Sequence, residues 1–241
     1  MSLTKNQLKL ITSLRQKKYR LKHQIFIAEG IKVVDEYLKS DFEVNQLFTT
    51  EPARYPSFHN VVEISDAELS KISALKSPNK VLALVTIPSP ARIKTNGLIV
   101  ALDGINDPGN LGTIIRLCDW FGVDQLVCSK DTVDMYNSKV VQASMGSLIR
   151  TSVVYTDLKA YLEASEQPKY ATLMEGENVY TTKLPNEAVL VLGNEANGIS
   201  KEILELLNEH ISIPRFGVLQ VTESLNVATA AAILLSEFRR T

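Results

Sequence analysis

The sequence predicts an α/β protein in two parts: a small mixed α/β unit, then a larger domain on a mostly parallel sheet with helices on both faces. Three observations carry this. Short apolar runs recur along the chain, and after residue 97 they alternate with stretches of helical spacing, as parallel strands joined by helical crossovers require. The segment Pro88-Ser-Pro-Ala-Arg-Ile-Lys-Thr-Asn-Gly97 breaks that periodicity with prolines, turn formers and a glycine. The 241 residues are 45% hydrophobic and 22% charged, a globular composition with enough chain to bury one large core or two ordinary ones. Domains are therefore expected at 1–90 and 97–241.

In the first part, Leu8, Ile11 and Leu14 have helical spacing, which predicts one helix over residues 4–17. Residues 25–28 read as a strand, followed by a helix carrying Ile31, Val34, Tyr37 and Leu38. Residues 44–50 and 61–64 read as strands. Ser65 and Glu68 form a capping-box signature for a helix reaching about Leu75, and residues 81–87 are rich in β-formers.

In the second part the strand-like runs are 98–102, 125–128, 152–155, 170–174, 189–192 and 211–213. Helices are expected over 111–121, from near Ser200, and over 225–239 with Ser224 as N-cap. Ala228, Ala231 and Ala232 give that last helix a small-residue surface for close approach to another element. Its apolar stretch, Val227 to Leu235, is far short of the roughly 18 to 20 residues that span a bilayer, so no membrane helix is expected.

Cys118 and Cys128 have no His or second Cys at metal-ligand spacing and read as reduced core thiols, with no metal expected. The N-terminus lacks the apolar core of a secretory signal, which points to the cytoplasm. The net charge of -1 hides an asymmetry. Residues 1–28 hold Lys5, Lys9, Arg15, Lys17, Lys18, Arg20 and Lys22 and no acid, leaving 19 basic residues against 27 acidic ones beyond. A basic head on an acidic body is either a solvated helix face or a contact for a polyanion such as nucleic acid.

In a doubly wound sheet, ligands bind at the carboxyl ends of the strands, so the loops there are the candidates. The first, Asp103 to Gly112, opens the helix in which Gly112 and Arg116 share a face; the glycine would leave room beside the guanidinium for phosphate or ribose oxygens, unless Arg116 simply pairs with a carboxylate. In the second, Gly193 would let a ligand approach the backbone and Glu195 would supply a carboxylate, or serve as a plain turn residue. The third joins Ile213 and Pro214 to Ser224 at the start of the last helix. No dinucleotide-binding glycine pattern and no P-loop is present.

Together the loops resemble the three motifs of the SpoU/TrmH-type RNA 2′-O-ribose methyltransferases of the SPOUT superfamily. The matching residues are Asn106-Asp-Pro-Gly-Asn-Leu-Gly-Thr-Ile-Ile-Arg116, Leu192-Gly-Asn-Glu195 with Gly198, and Ile213-Pro214 followed by Ser224-Leu-Asn-Val227. Phe26-Ile-Ala-Glu-Gly30, after a basic helix, resembles the family's ribosomal-protein-like RNA-binding domain. The resemblance implies an S-adenosylmethionine donor, a deep trefoil knot, and a homodimer whose active site draws on both subunits. It implies that Leu192, Gly193, Ile213 and Leu225 contact the cofactor and that Asn110, Arg116, Glu195, Ser224 and Asn226 line the ribose pocket. Arg15, Lys17, Lys18, Arg20 and Lys22 become candidate contacts to RNA, ribosomal rather than transfer RNA.

Methyl transfer from a sulfonium to a hydroxyl destroys charge, so a dry, aligned pocket favours it. Arg116 is read as orienter and stabiliser of oxyanion charge, because a guanidinium does not deprotonate unaided, and the proton acceptor stays unassigned. Three departures from the family pattern stand out: Leu117-Cys118 after the arginine, Arg215 in a commonly apolar place, and a Gly217 to Ser224 gap about three residues longer than usual. They leave a non-catalytic RNA-binding protein of the same fold as the alternative.

Overall fold

A capping box between Thr4 and Gln7 starts the first helix, α1 (Lys5–Ser13), in the computed structural model, which describes residues 3–217, 219 and 224–240. The single helix expected over 4–17 is two, since α2 (Lys17–His23) begins afresh after Gln16. The break has a partner for its freed carbonyls: Arg20 Nη1 donates to Leu14 O at 2.8 Å and to Arg15 O at 3.0 Å.

The chain divides into two compact units, the first comprising residues 1–89 and 134–149. Its four-stranded sheet has the order β1 (Ile25–Glu29), β4 (Val81–Thr86), β2 (Val44–Thr49), β3 (Val61–Glu63); only β2 and β3 pair in parallel. The helix α3 (Ile31–Leu38) follows β1. The expected capping box starts α4 (Asp66–Ile72): Glu68 accepts from the Ser65 N–H at 2.9 Å, which holds its carboxyl below the usual carboxylate range. Ile11, Leu14, Phe48, Leu69, Ile72 and Leu82 form one core of this unit.

The second unit, residues 90–133 and 150–241, holds six strands: β5 (Leu98–Asp103), β6 (Gln125–Ser129), β7 (Val153–Thr156), β8 (Lys169–Asn178), β9 (Ala188–Gly193) and β10 (Glu209–Ser212). Their order is β10-β8-β9-β5-β6-β7 and every pair is parallel. The central runs are buried throughout, as strands covered on both faces must be. After β5 comes α5 (Pro108–Trp120), and after β6 the chain returns to the first unit with α6 (Ser138–Ser144) before β7. There, Asp134 pairs with Arg20 and the Tyr136 ring lies 4.7 Å from that of Phe26.

The remaining helices are α7 (Leu158–Ala164), α8 (Lys201–Leu204) and α9 (Val227–Phe238). The N-cap of α9 is Asn226 and not the expected Ser224: Asn226 Oδ1 accepts from Ala228 N at 3.0 Å and Thr229 N at 3.2 Å. Ala228 and Ala231 do allow close approach, but the partner is within the chain. Both are buried where α9 packs on α5 and β9, so only Ala232 of the three is partly open. Cys118 and Cys128 are free and buried, and burial pushes both thiols well up. Among the described residues no helix is long and apolar enough to cross a membrane.

Candidate active site

The strand order reverses between β5 and β9, whose carboxyl ends lie side by side with Asp103 opposite Gly193. Such a switch point leaves a crevice between the two following loops. After β5, Asp107 caps α5 by accepting from Asn110 N at 2.8 Å, with Pro108 in the first turn, a pairing suited to a sharp helix start.

After β9 the chain folds back on itself. Asn194 and Gly198 exchange backbone hydrogen bonds of 2.9 Å in both directions, while Asn194 Oδ1 accepts from Ala196 N and Asn197 N. Asn194 Nδ2 donates to Gly104 O at 2.6 Å, and Ser200 N donates to Asp103 Oδ2 at 2.7 Å, so this turn is clasped to the end of β5. Gly193 is required by the turn itself: a Cβ there would sit 2.3 Å from the backbone of Gly198 and Ile199.

Three side chains then connect the three loops. Asn226 Nδ2 donates to Asn110 Oδ1 at 2.9 Å, and Asn110 Nδ2 donates to Glu195 Oε1 at 2.9 Å. The direction of this chain is set at its α9 end. Because Asn226 Oδ1 already caps two backbone N–H groups, its amide nitrogen must be the donor, and Asn110 is oriented in turn.

Beside this chain lies a cavity of about 1100 Å³, slightly above the roughly 300–1,000 Å³ usual for small-molecule sites. Leu192, Gly193, Ile213 and Leu225 line it, as do Glu195, Ser224 and Asn226, and β8 adds Thr172 and Met174. Asn110 is tied to this group through its two hydrogen bonds. Arg116 is not in it. Six residues beyond Asn110 on α5, about 9 Å of axial rise and a different face, Arg116 is exposed and makes no hydrogen bond or ion pair with a described residue. Among the described residues it pairs with no carboxylate. Gly112, one turn before it, is buried.

Sequence reasoning missed Asp103, Asp107 and Asn194, which hold the loops, Asn194 also lining the cavity. Their signals were present: an Asp before Pro at a helix start, and an Asn after Gly at a strand end. The longer gap in the third loop falls on residues 218 and 220–223, outside the described residues, although exposed Phe216 and Leu219 on its rim line the cavity.

The basic head is only partly available to a polyanion. Arg20 is 3% exposed, its donors taken by Leu14 O, Arg15 O and Asp134, which removes it from the candidate RNA contacts. Arg15 is exposed but anchors Ser73 O at 2.9 Å. Lys17, Lys18 and Lys22 on α2 are exposed, with Lys18 Nζ 4.8 Å above the Tyr19 ring.

Comparisons with known proteins agree with this layout. Residues 97–236 match the SpoU rRNA methylase family, and residues 5–83 match the MRM3-like substrate binding domain. The 23S rRNA (guanosine(2553)-2′-O)-methyltransferase RlmP of Bacillus subtilis is 32% identical over 94% of this chain and 93% of its own. Among solved structures, a TrmH-family protein from Porphyromonas gingivalis superposes with a TM-score of 0.88 at 38% identity over 98% of both chains. The AdoMet-bound rRNA methyltransferase of Sinorhizobium meliloti does so with a TM-score of 0.87 at 28% identity, over 99% of this chain and 97% of that one. With its crevice at the β5/β9 switch point and its family match spanning that whole second unit's sheet, the chain belongs to the SpoU rRNA methylase family.

Proposed function

We propose that this protein transfers a methyl group from S-adenosylmethionine to a ribose 2′-hydroxyl in ribosomal RNA. The observation that carries the reading is the single cavity edge on which the three motif loops meet: Leu192, Gly193 and Glu195 from the second, Ile213 and Leu225 from the third, and Asn110 of the first hydrogen-bonded to Glu195. Membership of the SpoU rRNA methylase family supports the chemistry, and the ribosomal RNA named for its Bacillus relative supports the substrate class.

The residues present fit the cofactor. Leu192, Ile213 and Leu225 supply apolar walls, and the tight turn at Gly193 brings backbone rather than side chain to the cavity wall. Bound there, S-adenosylmethionine would supply an electrophilic methyl group. The chain's own part is to exclude water and to orient the ribose through Ser224, Asn226 and Glu195.

The MRM3-like domain, residues 1–90 in this reading, binds the RNA, with the exposed lysines of α2 on phosphates. Residues 97–241 form the knotted methyltransferase domain. The protein works in the cytoplasm as a homodimer, in which Arg116, exposed and absent from the lining of its own chain's cavity, serves the cavity of the second copy. The test is incubation of the purified chain with tritiated S-adenosylmethionine and unmodified ribosomal RNA, with the product mapped for 2′-O-methyl ribose. Binding of RNA and S-adenosylhomocysteine without label transfer would favour the non-catalytic alternative.

A further inference from the structure

We propose that Phe216 stacks on the base of the nucleotide whose ribose is methylated, so that this nucleotide enters the site unpaired; the assignment rests on the methyl-transfer reading above. Apolar side chains scattered singly over a surface are ordinary, but here they gather. Among the described residues eight large hydrophobic side chains are exposed, and four of them, Met174, Phe216, Leu219 and Leu225, line the cavity beside the motif loops. Exposed apolar surface that is concentrated and bordered by polar groups marks a place where something binds. The polar border here is Ser224, Asn226 and Glu195, the residues assigned to the ribose.

Exposure divides the apolar lining between two ligands. Leu192 is buried and Ile213 partly so, which suits them as walls for the cofactor, whereas Phe216 is 82% exposed. The ribose brings its base with it. The glycosidic bond leaves C1′, the neighbour of the C2′ that bears the hydroxyl, so a ribose held at Ser224, Asn226 and Glu195 carries a flat base to the same rim. Unpaired RNA bases are held by stacking on aromatic side chains. Phe216 is the aromatic ring among the described residues that line the cavity.

The ring is also supported. The Tyr180 ring lies 6.4 Å from it with an interplanar angle of 31°, within the range of favourable aromatic pairs. Tyr180 is itself fixed through its backbone, whose N–H donates to Asn178 Oδ1 at 2.9 Å and whose carbonyl accepts from Arg240 Nη2 at 3.0 Å. Phe216 is thus braced on one side while most of its surface stays open to a base. Stacking accepts any base because every base has a π-face, so Phe216 holds the nucleotide in place without reading its identity.

The test uses the full-length chain, a ribosomal RNA transcript that it methylates, and the same transcript assembled with an abasic ribose at the methylated nucleotide. Affinity for each RNA is measured by filter binding for the unaltered chain, Phe216→Ala and Phe216→Trp. Calorimetry gives the affinity for S-adenosylhomocysteine, and light scattering the mass in solution. Phe216→Ala should bind the intact transcript about 5-fold to 150-fold more weakly, the loss of one stacked base. Phe216→Trp, which keeps a stacking face, should stay within about threefold of the unaltered chain. On the abasic transcript all three chains should agree within about twofold, because the ring then has no base to lose. Affinity for S-adenosylhomocysteine and mass should not change. An Ala variant that binds the intact transcript as well as the unaltered chain overturns the assignment, and so does an equal loss on the abasic transcript, which would put the ring elsewhere on the RNA. A matching loss of S-adenosylhomocysteine affinity would make Phe216 a wall of the cofactor site, and a lower mass would make it a contact to a second copy; either result overturns the assignment too. If the unaltered chain methylates no ribosomal RNA, the methyl-transfer reading itself falls and this assignment falls with it.

Discussion

Asn226 donates its side-chain amide to Asn110, which lies 116 positions earlier in the chain, at 2.9 Å. One asparagine thus both caps α9 and orients a residue of α5. Asn226→Asp should separate these roles. Aspartate is as good a cap, so thermal unfolding should show a loss of no more than about 1 kcal/mol. An oxygen would then face Asn110 Oδ1, the chain to Glu195 would lose its direction, and methyl transfer should fall by about 10-fold to 100-fold in a radiolabel assay.

Arg116 is exposed and unpartnered among the described residues, so Arg116→Ala should leave stability within about 0.5 kcal/mol. Transfer should nevertheless drop by about 100-fold or more if the guanidinium stabilises developing charge. S-adenosylhomocysteine affinity, by calorimetry, should stay within a few fold. Co-expressed with Glu195→Gln, the variant should recover about a quarter of the activity if Arg116 acts across the dimer, because half of the random dimers would then hold one intact site. An inactive mixture places Arg116 in its own protomer's site.

Arg20 and Asp134 form a pair that is 4% and 16% exposed. Asp134→Ala leaves a buried guanidinium without its counter-charge and should cost about 3–5 kcal/mol in denaturant unfolding, with little dependence on salt. Replacing both partners by Met and Leu should restore much of that loss. A loss below about 1 kcal/mol for the single variant would show that the pair is not the fastening of residues 134–149 within the first unit.

Lys17, Lys18 and Lys22 are the exposed cations of α2. Reversing all three to Glu should weaken RNA binding and lower the log–log salt slope by roughly 0.7 to 0.9 for each phosphate no longer neutralised. Circular dichroism should stay unchanged. An unaltered affinity and slope would make α2 a solvated face and move RNA binding elsewhere on the molecule.

Gly193→Ala is expected to fail for lack of space and not for backbone conformation, since its Cβ would meet the Gly198 and Ile199 backbone at 2.3 Å. Overpacking against a clasped turn should cost about 1–3 kcal/mol or more, read as a lower melting temperature together with weaker S-adenosylhomocysteine binding.

The sequence by itself determined the element types and the loops that matter. Buried parallel strands read as apolar runs because both faces are covered, and the Ser65/Glu68 box and the Asp-Pro start of α5 are local signals that need no tertiary context. The motif residues of the second and third loops and Asn110 were likewise legible, and all of them meet at the end of β5 and β9. What a helical period cannot tell is which of several exposed-looking residues finds a partner far away in the chain. Arg20 reads as one more cation of a basic run, yet it turns inward because α1 ends early and leaves carbonyls for it beside Asp134. Ser224 and Asn226 are equal as caps by propensity, and the choice falls to Asn226 because its amide has an acceptor in Asn110 on another helix. Ala228 and Ala231 announce close packing, and only the fold names α5 and β9 as what they pack on. In each case the deciding energy is an interaction between residues tens of positions apart, which local spacing does not encode and which chain folding alone brings within hydrogen-bond or van der Waals reach.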